Sequence, residues 1–163
     1  MQPYYIYYYR NIPNLSADDT PYIIKMIDNS IESELILIKY YESVNGNKDT
    51  IYNKLIKDAK SHINILKTIY GNLSGKSYNK DKTLEKNIDS VKSAIIENIE
   101  LSKMYRKILY YMKNQVHRYM LFDIIIDNIN NSILLNMLMN ETVKWPFLFW
   151  LMILIYIYDI LLL

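Results

Sequence analysis

This sequence predicts an all-α fold, an antiparallel bundle of four long helices, and three observations carry the prediction. Apolar residues recur at steps of three and four in four separate segments, the spacing of one buried helix face. Only 3 glycines and 4 prolines interrupt 163 residues, which favours long helices over many short elements. Short polar turns divide the first segment from the second and the third from the fourth, as in helical hairpins. A longer polar stretch joins the two hairpins.

The length suits one domain with a sizeable core. With 19 basic and 17 acidic residues the net charge is +2. That balance gives no general attraction to nucleic acid or to an anionic surface, and no nucleic-acid partner is expected. Cysteine is absent, so neither a disulfide framework nor a thiolate metal site is open to the chain, and a reducing cytoplasmic compartment suits it. Residues Met1 to Arg10 lack a basic stretch followed by an apolar one, so no signal peptide is expected.

Residues 1–20 form a tyrosine-rich arm containing Pro3 and Pro13, read as rings packed on the bundle or, more sharply, as a tyrosine-mediated docking site. The bundle itself occupies residues 21–141. Thr20 suits a helix cap and Pro21 the first helical position. The first helix is expected from Pro21 to Val44, with Ile24, Ile27, Ile31, Glu34, Ile38 and Tyr41 inward. Asn45 and Gly46 end it. The second runs from Thr50 to Asn72 on the stripe Tyr52, Leu55, Ala59, His62, Leu66, Ile69 and Leu73. Ser74 to Lys82 then breaks the periodicity. Fully extended, these nine residues reach roughly 30 Å, enough to cross from one end of the bundle to the other. The third helix is expected from Thr83 to Met112 or Lys113, with Leu84, Ile88, Val91, Ile95, Asn98, Ser102, Tyr105, Leu109 and Met112 inward. The fourth runs from Gln115 to Asn140, with Leu121, Ile124, Asn128, Asn131, Leu135 and Leu138 inward.

Each stripe carries a polar group where an apolar one belongs. Glu34 and Asn98 stand alone on the first and third helices. Positions 59 and 62, and positions 128 and 131, are i, i+3 pairs on the second and fourth. Tyr41 and Tyr105 each follow a lone position by seven residues, so the chain repeats one helical hairpin. A lone core histidine or asparagine is usually a hydrogen-bonded structural residue. A buried carboxylate, however, is costly without partners, and gathering these groups into one layer supplies them. No nucleophile elbow, phosphate-cradling glycine loop or zinc motif is present.

This pattern resembles the ferritin-like superfamily, in which a Glu from each of two helices and a Glu-x-x-His from each of two others hold a di-iron centre. Across residues 20–140 the chain is similar to the rubrerythrin branch, through Ile31 to Leu35, Asp58 to His62, Leu66 to Gly75, Tyr105-Arg106 and Asp127 to Asn131. The resemblance implies a ferritin-like bundle of two hairpins joined by a crossover. It implies metal ligands at Glu34 and His62, backed by Tyr41 and Tyr105. It also implies vestigial ligand positions at Ala59, Asn98, Asn128 and Asn131, where the family has glutamate, glutamate, glutamate and histidine. Two of six ligand positions are kept. A pair of iron ions needs several anionic oxygens, which alanine and asparagine do not provide. Asp58, Glu97 and Asp127 each lie one residue, about 100° of helix, from a stripe position and are not expected to substitute. The expectation is a bundle without its di-iron centre, no cofactor, and a non-catalytic structural or interaction role through another protein or self-association. The alternative is a rubrerythrin-like oxidoreductase or iron-handling protein with an altered metal site.

Residues 142–163 differ abruptly in composition. Asp159 is the single charge between Trp145 and Leu163. As an apolar C-terminal helix this tail spans about 28 Å, close to the roughly 30 Å of a bilayer core, with Trp145, Trp150, Tyr156 and Tyr158 as amphipathic anchors, Trp150 the deepest of them. Three readings stand: a membrane anchor, a helix packed on the bundle or a partner, and the product of a shifted reading frame.

Overall fold

The computed structural model describes residues 19–45, 50–79, 84 and 86–141. Among them there are four helices and no strand: α1 (Thr20–Val44), α2 (Thr50–Ser74), α3 (Val91–Tyr111) and α4 (Gln115–Glu141). The N-terminal arm and the apolar tail lie outside the described residues, as do the lysines Lys80 and Lys82 of the polar crossover.

Cross-helix contacts fix the directions. Tyr41 meets Tyr52 and Glu34 meets His62, so α1 and α2 run antiparallel. Tyr41 with Asn98, Glu34 with Tyr105 and Tyr22 with Tyr111 make α1 and α3 antiparallel. Lys54 with Asn131, His62 with Asp127 and Asn72 with His117 do the same for α2 and α4. α3 packs closely along α4, which leaves α1 and α4 on one diagonal of the bundle and α2 and α3 on the other. Ile27, Ile31, Leu55, Leu66, Ile69, Ile108, Leu121, Ile124 and Leu135 fill the interior. Most belong to the stripes read from spacing. Ile23, Met26 and Leu37 widen the α1 face beyond a single stripe, because α1 packs on two neighbours at once.

The helix ends follow local chemistry. At α1 the cap is Asp19 rather than Thr20. Thr20 is already helical, and Asp19 makes no side-chain cap bond. Gly75, at φ 67°, closes α2 by donating its N–H to Gly71 O at 2.9 Å. That left-handed position suits glycine and lets α2 run to Ser74, two residues beyond the expected end.

The largest difference is at α3, which starts at Val91 rather than Thr83. Ser90 is extended and its Oγ accepts from Ser93 N at 3.2 Å, a cap that fixes the first turn there. Ile88 is buried before the helix begins, so its place in the stripe reflects burial without helical backbone. The described ends of the α2–α3 connection lie against α1. Tyr78 Oη donates to Asp28 Oδ1 at 2.7 Å, and Asp89 lies near enough to Tyr40, twelve residues further along α1, to act on it electrostatically.

Met112 to Asn114 join α3 to α4. Asn114 Oδ1 accepts from His117 N at 3.1 Å, capping α4. Arg118 donates to the Leu109 carbonyl, which also accepts from Met112 N, and to the Met112 carbonyl just past the helix end.

Candidate functional site

Glu34, His62, Ala59, Asn98, Asn128, Asn131, Tyr41 and Tyr105 are all buried in the bundle interior. Glu34 and His62 are each only 1% exposed. They come together directly: His62 Nδ1 lies 3.0 Å from Glu34 Oε1. The same oxygen accepts the Tyr105 hydroxyl at 2.7 Å. On the other side of the layer, Asn98 Nδ2 donates to Tyr41 Oη at 2.8 Å and to its own helix at Ala94 O, also at 2.8 Å.

These bonds obey the internal repeat. Positions 34 and 41 on α1 correspond to 98 and 105 on α3. Glu34 pairs with Tyr105, and Asn98 pairs with Tyr41, so each lone polar position takes the tyrosine of the opposite hairpin. Only the chemistry differs. Glu34 accepts from its tyrosine, whereas the Asn98 amide donates to its own.

The helix pairs differ more. Ala59 fills its position with a methyl group and is buried. Asn131 Oδ1 accepts from Lys54 Nζ at 3.2 Å, which brings a cation to that edge. Lys54 also pairs with Asp58. Asn128 Nδ2 is buried without a hydrogen-bond partner, a condition that costs about 1–3 kcal/mol.

Asp127 was not expected to take part, yet its Oδ2 lies 3.4 Å from His62 Nε2. A residue next to Asn128 points about 100° away from it, but Asp127 is also one turn before Asn131, and that i, i+4 relation was the available signal. The other two flanking carboxylates are engaged elsewhere. Asp58 holds Lys54, and buried Glu97 holds Lys86.

The electrostatics follow from these contacts. Burial alone pulls the His62 imidazole down, but hydrogen bonding and charge from Glu34, then Asp127, outweigh it and hold His62 above its ordinary value. With a carboxylate at each nitrogen, the imidazolium can donate to both. Burial, first, and the Glu34 charge push the Tyr105 hydroxyl well up, so it stays a proton donor. Burial likewise raises Tyr41, against the lowering influence of Asn98.

A layer so arranged is a hydrogen-bond network: the His62 ring between two carboxylates, one tyrosine hydroxyl on Glu34, and side-chain amides elsewhere. Among the described residues no three His, Asp or Glu side chains gather as a group that would hold a metal ion. No family model, no curated protein and no solved structure matches the chain.

Proposed function

We propose that this chain is a ferritin-like bundle, resembling the rubrerythrin branch, whose di-iron centre has been replaced by a buried hydrogen-bond network. On this reading it is a structural or interaction protein and not a catalyst, engaging another protein or a second copy of itself. The observation that carries the reading is the pair of symmetry-related bonds, Tyr105 to Glu34 and Asn98 to Tyr41. They occupy the places that a repeated ligand set would need, and they are already satisfied by protons.

The residues present fit a di-iron centre poorly. Glu34 Oε1 already accepts from Tyr105 and pairs with His62. The two nitrogens of His62 face two different carboxylates, Glu34 and Asp127, and their lone pairs diverge. One ion therefore cannot take His62 together with both acids. The Asn98 amide presents donors to its neighbours, and the Lys54 ammonium beside Asn131 repels a cation. Iron favours carboxylate and imidazole donors over such a set.

The test is restoration. The combined substitutions Ala59→Glu, Asn98→Glu, Asn128→Glu and Asn131→His return the family's donor set. The unmodified protein supplied with ferrous iron should show no ferroxidase or peroxidase activity above free iron, and the fourfold variant should take up metal. Turnover by the unmodified protein would overturn the proposal.

A further inference from the structure

The fourth helix has two apolar faces. Leu121, Ile124 and Leu135 point into the core. On the opposite side Tyr119, Phe122, Ile126 and Met137 are 63%, 53%, 42% and 50% exposed, with half-buried Ile133 between them. The steps 119, 122, 126, 133 and 137 keep these five residues on one line. Asn130 is the exposed polar residue within it. A helix that is apolar all round belongs in an interior, and an apolar stripe of this length marks a contact surface.

We propose that the stripe is covered by the chain's own apolar C-terminal segment, residues 146–163, lying antiparallel along α4. The segment is attached where the stripe ends. α4 stops at Glu141, and Met137 is one turn earlier. Residues 142–145 supply a connection of the length that joins antiparallel helices, and Pro146 suits the first position of a new helix. The spacing then matches position by position. Counting back along α4, the stripe steps through Met137, Ile133, Asn130 and Ile126. Counting forward at the same intervals from the turn, the tail presents Leu151, Ile155, Tyr158 and Leu162. The polar gap at Asn130 falls opposite Tyr158, beside Asp159, the one charge between Trp145 and Leu163. Asp159 itself lies one residue further from the turn than the position that faces Asn130. Inserted in a bilayer instead, the tail carries the charge of Asp159 toward hydrocarbon and leaves the α4 stripe facing water.

Because the chain has no cysteine, paired cysteines read the register without background. Full-length protein carrying Met137→Cys with Leu151→Cys, or Ile126→Cys with Leu162→Cys, should form an intrachain disulfide on mild oxidation. The offset pair Met137→Cys with Leu162→Cys should stay reduced. All α4 positions used are exposed, and retention of helical circular dichroism confirms that the bundle tolerates them. A tail on α4 still has an apolar outer face, so the same proteins are mixed with neutral phosphatidylcholine vesicles and sedimented. Intrachain crosslinking of the matched pairs, without vesicle binding, supports the proposal. Interchain disulfides, which place a second copy on the stripe, would overturn it, as would failure of the matched pairs to crosslink or partition of the protein into vesicles.

Discussion

The Tyr105 hydroxyl donates to Glu34 Oε1 at 2.7 Å, across the antiparallel contact of α1 with α3. Its counterpart is the bond from Asn98 to Tyr41. The two tyrosines occupy equivalent places in the two hairpins, but one serves a carboxylate and the other a neutral amide.

That difference is measurable. Tyr105→Phe removes a bond to a charged acceptor and should lower unfolding free energy by about 1.5–3 kcal/mol. Tyr41→Phe leaves Asn98 Nδ2 bonded to Ala94 O and should cost only about 0.5–1.5 kcal/mol. Chemical denaturation of the two variants, followed by circular dichroism, gives the ranking. Equal losses would mean that Glu34 is not a charged acceptor in the folded protein.

The two histidines should titrate on opposite sides of the ordinary imidazole value. His62 is held up by Glu34 and Asp127 despite its burial. His117 is pulled down by burial. Its Nδ1 has no partner, while its Nε2 lies 2.9 Å from Asn72 Nδ2. Proton NMR of the imidazole signals against pH resolves the two.

A stability profile follows from the His62 shift, with a definite sign. The folded state binds the His62 proton more tightly than the unfolded chain, whose imidazole titrates near about 6.5. The resulting stabilisation is complete below that value and is lost as pH rises through the higher folded value. Wild type should therefore weaken as pH rises above about 6.5, and His62→Gln should flatten that limb. A wild-type profile that rises steadily over the same interval would place a neutral imidazole beside Glu34.

Asn128 offers the opposite kind of test. Its buried Nδ2 has no partner, so Asn128→Leu removes an unsatisfied donor and fills similar space. The change should leave stability unaltered or raise it by about 1 kcal/mol. Glu34→Leu should cost about 3–5 kcal/mol, because it breaks a buried pair and strips both His62 and the Tyr105 hydroxyl of their shared partner. Thermal unfolding of both variants at pH 7 separates a dispensable polar position from a required one.

Much of this was legible in the sequence, for identifiable reasons. Stripes such as Leu55, Ala59, His62, Leu66 and Ile69 name a buried face because helical spacing is local and every member lies on one helix. The polar members were conspicuous for the same reason. The start of α3 was not legible from periodicity, since Leu84, Ile88 and Val91 keep the spacing while the backbone at Ile88 is not helical. The Ser90 to Ser93 cap was the competing signal. Asp127 and Lys54 were missed because each enters the layer from the α2–α4 contact. For Asp127 the spacing to Asn131, one turn later, was the one available signal; the approach of Lys54 depends on how two helices lie against each other, which spacing along one helix does not specify.

The most direct measurement is the metal content of purified full-length protein after incubation with ferrous iron and removal of the excess. The expected result is no stoichiometric iron pair, with Glu34 and His62 still paired to each other and His62 still titrating above its ordinary value. Two tightly held equivalents of iron per chain, with loss of the His62 titration, would contradict it.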